Sequence, residues 1–169
     1  MSEIWDIVDA KGEKTGVKWD RANHDKIPEG MYHPCVEVWV KIGDKLLITK
    51  RHPEKTEGLK YDVPGGAVIA DEDMQTGAMR ELYEEAGISV DSSSFKELGT
   101  LTSGNVYAAS YLVELNYIPE IKLQESEVVG YRLVTQDELE EMLDELTRGT
   151  KSRYNIYKEE IFPAKKQPS

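Results

Sequence analysis

The stretch that decides the reading occupies residues 66–88: Gly66-Ala67-Val68-Ile69-Ala70-Asp71-Glu72, then Arg80-Glu81-Leu82-Tyr83-Glu84-Glu85-Ala86-Gly87-Ile88. Residues 76–86 hold no proline, and Met74, Ala78, Leu82 and Ala86 put an apolar side chain at every fourth position. That period predicts an amphipathic helix, which Asp71 or Asp73 can cap and Gly87 can end. Glu81, Glu84 and Glu85 then share one face, where like charges cost roughly 0.2–0.5 kcal/mol per pair. A bound cation offsets that cost, and clustered carboxylate oxygens suit Mg²⁺ or Mn²⁺, which also take substrate phosphates. Pro64-Gly65-Gly66 lets backbone approach the same place, so a carbonyl at Gly66 can join the ligands. Arg80 can reach back to Glu72 or forward to Glu84 and reads as the clamp that orients the carboxylates. In an acidic chain a bare Glu-x-x-Glu-Glu is a solvated face. The glycine turn, the isolated Glu72 and the position of Arg80 together make it a site.

Written as spacing, the segment is a Gly, five residues, a Glu, seven residues, then Arg-Glu-apolar-x-Glu-Glu-x-Gly-apolar. It resembles the signature of the Nudix hydrolases at every fixed position. The resemblance implies an α/β (α+β) fold, the α/β/α sandwich with a mixed sheet, over roughly residues 32–146. It also implies divalent-metal-dependent attack of water on a diphosphate linkage in a nucleoside diphosphate derivative, with Mg²⁺ or Mn²⁺ neutralising phosphate charge. Glu81 and Glu85 are the first metal ligands expected, and Glu84 is either a third ligand or the general base. Glu127, at a loop-to-strand junction, is an alternative base. Arg51, at the end of a strand facing the signature, is a candidate phosphate contact. Trp39, with Tyr107 and Tyr111, offers a candidate stacking face for a base. His24, His33 and His52 show no ligand spacing.

Two rival readings stay open. The N-terminal Glu-x-Trp-Asp-x-x-Asp pattern looks like the isopentenyl-diphosphate-isomerase-like branch of the family. Those isomerases look for a Cys-Gly-His ahead of the signature, where this chain has Pro64-Gly65-Gly66-Ala67. Cys35 lies on an earlier strand and reads as a small buried hydrophobe. A non-catalytic nucleotide-binding domain is the other rival, and the intact set of acids argues against it.

The 169 residues suffice for one domain with a substantial core, read as a hairpin and loop (1–30), a core (31–147) and a C-terminal helix and tail (148–169). With 21 Lys and Arg against 32 Asp and Glu, the formal charge is −11. Such a surface repels nucleic-acid backbone and anionic membrane. A small phosphorylated substrate remains compatible, because a bound metal inverts the local field. A single cysteine, Cys35, excludes an intrachain disulfide. No stretch approaches about 18 apolar residues and no basic-then-apolar leader opens the chain, so a cytoplasmic location is the expectation.

Around the signature the pattern predicts a hairpin at 3–20 carrying Trp5 and Trp19, exposed enough to serve as a homodimer contact. A loop at 21–30 follows, then strands at 33–42 and 45–51. In the first, Val36, Val38, Val40 and Ile42 face the core while Cys35, Glu37, Trp39 and Lys41 face away. After the signature helix, strands are expected at 88–90, 95–102, 106–115 and 127–134. A helix at 136–146 is capped by Thr135 with Glu138 completing a capping box. A short last helix at 153–162 and a loose tail at 163–169 complete the expectation.

Overall fold

The computed structural model describes residues 2–164, so most of the expected tail lies outside the described residues. Strands β1 (Ile4–Val8) and β2 (Lys14–Asp20) form the antiparallel hairpin, with Trp5 opposite Trp19. A 3₁₀ helix, Arg21–Lys26, replaces the expected loop. There follow β3 (His33–Ile42), β4 (Lys45–Arg51), β5 (Tyr61–Asp62), β6 (Gly65–Ala67) and helix α1 (Met74–Ala86). The chain continues through β7 (Lys96–Ser103), β8 (Val106–Leu115), β9 (Val128–Thr135), α2 (Gln136–Glu141) and α3 (Arg148–Ile161).

β3 runs parallel to β8 over its full length, from His33 opposite Val106 to Ile42 opposite Leu115. Its other edge is divided. β6 pairs antiparallel with its first half, Cys35 to Glu37, and β4 meets only its last two residues. β4 instead pairs along its length with β9, and β7 closes the far side against β8. The splaying of β3 from β4 opens the gap that the glycine turn fills. The result is the expected mixed sheet.

Both faces of that sheet are covered. Val36, Val38, Val40 and Ile42 pack with Ala78, Leu82 and Ala86 of α1, while Trp39, Leu46 and Ile48 pack with Leu139, Tyr154, Tyr157 and Ile161 of α2 and α3. The alternate face of β3 is therefore not solvated as its polar residues predict. Glu37 and Lys41 are buried there: Lys41 donates to the Ile161 carbonyl at 2.7 Å, and its ammonium lies 4.4 Å above the Phe162 ring. α3 begins at Arg148, five residues earlier than expected, because Thr147 caps it. Thr135 and Glu138 form the capping box as read, yet α2 ends at Glu141 and gives way to a 3₁₀ turn, Leu143–Glu145. Residues 88–90 form no strand: Ile88 is spent filling the core beneath α1.

The hairpin is docked rather than free. Trp5, Ile7 and Val8 are buried, Val8 bridges to Tyr32, and Ala70 of the signature loop donates to the Ile4 carbonyl. With Trp5 only 3% exposed, the two-tryptophan patch expected to support a homodimer does not exist.

Candidate active site

Asp73 accepts a hydrogen bond from the Thr76 N–H and starts α1; Gly87, at φ 71°, ends it in the left-handed region. The helix turns its apolar side to the sheet, which leaves Glu81 and Glu85 at the margin between core and cavity. Glu85 is 8% exposed, and its Oε1 accepts the Gly65 N–H at 2.8 Å. Burial pushes its carboxyl up to about 8; Asp62 and Glu81 add to the shift and the Gly65 N–H opposes it. Burial also raises Glu81, against the pull of Arg80. A Cβ at residue 66 would stand 2.6 Å from Glu81 Oε1, so any side chain there would have to push that carboxylate aside. Glycine at 66 is what lets the β6 backbone lie against that carboxylate.

Arg80 is the hub. Its Nε and Nη2 donate to the two oxygens of Glu72, each at 2.9 Å, and Nη2 also reaches the Ala67 carbonyl. Nη1 donates to Glu81 at 2.9 Å and Glu84 at 3.2 Å, so the reading that offered Glu72 or Glu84 as alternatives is answered by both. Five donors meet five acceptors. The acids hold the guanidinium firmly in its charged form.

One cavity of about 480 Å³ gathers Gly66, Arg80, Glu81, Glu84, Glu85 and Glu127. Glu127 is ion-paired with Lys55. Among the described residues no three acidic, imidazole or thiol groups converge as a preformed ligand set, for Glu81 and Glu84 each turn an oxygen to Arg80. The donors still suit a hard divalent cation: oxygen ligands, two of them on carboxyls raised by burial, beside a side-chain-free backbone.

Other expectations separate from this cluster. Trp39 is fully buried, donating its indole N–H to Glu37, and lines neither the acid cavity nor its neighbour; the stacking role assigned to it does not survive. Tyr107 and Tyr111 are likewise buried. Their strand alternation was a core signal. Arg51 is in a salt bridge with Asp62 at 2.9 Å and donates to Thr56, and it lines a second cavity instead. Cys35 lines both cavities, but burial pushes its thiol up to about 12, far from an activated thiolate.

The sequence reading missed the hairpin's contribution. Glu3, Trp5, Arg21 and His33 all line the acid cavity, and Trp5 stacks on His33 with ring centroids 4.2 Å apart. It also missed Arg153 and Glu37, joined at 2.6 Å. A lone carboxylate in the apolar run of β3 was the available signal for Glu37, and nothing marked Arg153.

A NUDIX domain model matches residues 31–159. The chain belongs to the Nudix family. An uncharacterised Nudix hydrolase of Listeria monocytogenes is 29% identical over 142 residues, covering 82% of this chain and 83% of that protein. The ADP-ribose pyrophosphatase of Saccharomyces cerevisiae is 29% identical over 122 residues, covering 67% of this chain and 51% of the yeast protein. A Deinococcus radiodurans crystal structure superposes with a TM-score of 0.73 at 19% identity, covering 92% of this chain and 99% of that one. This Nudix chain is a pyrophosphohydrolase. No helix among the described residues is long and apolar enough to cross a membrane.

Proposed function

We propose that this Nudix protein hydrolyses the diphosphate linkage of a nucleoside diphosphate derivative with Mg²⁺ or Mn²⁺ bound at Glu81, Glu85 and the Gly66 backbone. The observation that carries the reading is the pair Glu81 and Glu85, both partly desolvated at one wall of the acid cavity and both raised by burial. When bound, the cation neutralises phosphate charge and polarises the phosphorus. Arg80 holds Glu72, Glu81 and Glu84 in fixed orientation and so acts as a positioning residue. Glu84 has one oxygen on Arg80, and its other has no partner among the described residues. We assign Glu84 the water proton, with Glu127, neutralised by Lys55, as the lesser base. The similarity to an ADP-ribose pyrophosphatase supports a nucleoside diphosphate compound as substrate.

The test is a panel of nucleoside diphosphates, nucleotide sugars and dinucleotides incubated with Mg²⁺ or Mn²⁺. Release of a nucleoside monophosphate from at least one compound is expected. No release from any, by a folded protein, overturns the reading.

A further inference from the structure

Beside the acid cavity, at β6, lies a second cavity of about 310 Å³, within the size range of ligand pockets. It shares Cys35, Gly65 and Gly66 with the acid cavity, so the two adjoin across the glycine strand. Its walls include the apolar Val63, Val106 and Ala108, and Arg153 projects from α3.

Arg153 is held at one end of its guanidinium and open at the other. Its Nε donates to Glu37 Oε1 at 2.6 Å, and Glu37 is itself fixed by Trp39 Nε1 at 2.8 Å and Ser110 Oγ at 2.7 Å. The two terminal nitrogens have no acceptor among the described residues. They lie 3.0 and 3.1 Å from where a Cβ at residue 149 would stand, so glycine there leaves them room. A guanidinium pinned at Nε presents a rigid fork of donors. The lining carries two arginines against the carboxylates of Glu37, Glu57 and Asp62, so it holds no net positive charge. A phosphate gains little there. A neutral ring with apolar faces and acceptor atoms on its edge fits better.

We infer that this cavity receives the nucleobase end of the substrate, with Arg153 reading the edge of the base while the diphosphate lies across Gly65 and Gly66 at the acid cluster. The inference rests on the hydrolase reading for the second half only; occupancy by a base requires no catalysis.

The experiment therefore uses binding. Adenosine, guanosine, cytidine, uridine and ribose 5-phosphate are titrated calorimetrically into wild-type protein, Arg153→Lys and Gly149→Val, all in chelator. Arg153→Lys keeps a charge for Glu37 and loses the fork; Gly149→Val fills the space before it. At least one nucleoside should bind wild type and weaken tenfold or more in Arg153→Lys with an unchanged melt, or in Gly149→Val if the first variant melts early. Ribose 5-phosphate should show no dependence on either change. The inference is overturned if no nucleoside binds, if nucleoside affinity changes less than twofold in both variants, or if only ribose 5-phosphate responds. Arg153-dependent nucleoside binding by a protein that cleaves no diphosphate upholds it while overturning the hydrolase reading.

Discussion

The backbone N–H of Gly65 donates to Oε1 of Glu85 at 2.8 Å, joining the glycine turn to the acidic face of α1 across 20 residues of sequence. Glu85→Gln keeps an acceptor for that N–H but can no longer carry charge. Activity should fall by at least about a hundredfold, near 2.7 kcal/mol of transition-state stabilisation. The pH dependence of stability has a defined sign. A carboxyl raised from 4.5 to about 8 binds more protons folded than unfolded, so without metal the wild type loses stability as pH rises through that window. The variant lacks this loss. In chelator, thermal melts should bring the two proteins closest near pH 5 and put the variant ahead by pH 9. A variant that melts far lower yet stays active makes Glu85 scaffold.

Arg80→Lys tests the clamp. A lysine ammonium cannot span Glu72, Ala67, Glu81 and Glu84 in the geometry the fork provides. Glu72 has a side chain 9% exposed and would lose its bidentate partner. A loss of about 2–4 kcal/mol is expected by urea denaturation, together with slower turnover at saturating metal. A change under about 0.5 kcal/mol would show that Glu72 does not depend on the fork.

Cys35→Ala separates hydrolysis from isomerase-like chemistry. The thiol lines both cavities, but burial pushes it up to about 12, which leaves almost no thiolate to act as a nucleophile near neutral pH and makes the thiol a weak acid. Turnover should stay within about threefold of wild type. A drop beyond about tenfold, roughly 1.4 kcal/mol, with the fold intact, would revive the isomerase-like reading.

Glu81, Glu84, Glu85 and Arg80 were legible because helical spacing is local: one period places four side chains on one face. The same holds for Thr135 and Glu138, three residues apart. Trp39 misled for a non-local reason. Alternation on β3 marks two faces, but only the arrival of α3, more than a hundred residues later, makes the second face as dry as the first. The pairing of Arg153 with Glu37 spans 116 residues and rests on that same packing, so no window of sequence contains it. Trp5 and His33 lie on separate strands, and their stack depends on how the hairpin docks.

That docking yields the last prediction. Asp6 Oδ2 accepts the Asp71 N–H at 2.7 Å, and Lys14 and Lys18 stand 3.2 and 2.9 Å from the carboxylate. Asp71 takes φ 69°, a left-handed conformation that a non-glycine residue holds at some cost. Asp6 thus fastens the hairpin to the turn before α1, and the hairpin carries Glu3 and Trp5 into the acid cavity. The Asp71 N–H, chiefly, holds the Asp6 carboxyl down near about 2, with both lysines assisting and burial opposing. A depressed acid contributes stability above its unfolded value of 3.8 and loses it as pH falls toward 2. Asp6→Ala should therefore cost about 1–2 kcal/mol at pH 7, a gap that narrows as pH falls through that interval. Because the hairpin walls the cavity and supplies none of the proposed metal ligands or bases, KM should rise several-fold while kcat stays within about twofold. Urea melts at pH 7 and pH 3, beside one Michaelis curve, decide it: an equal gap at both pH values removes the charge from the clasp, and an unchanged KM removes the hairpin from the site.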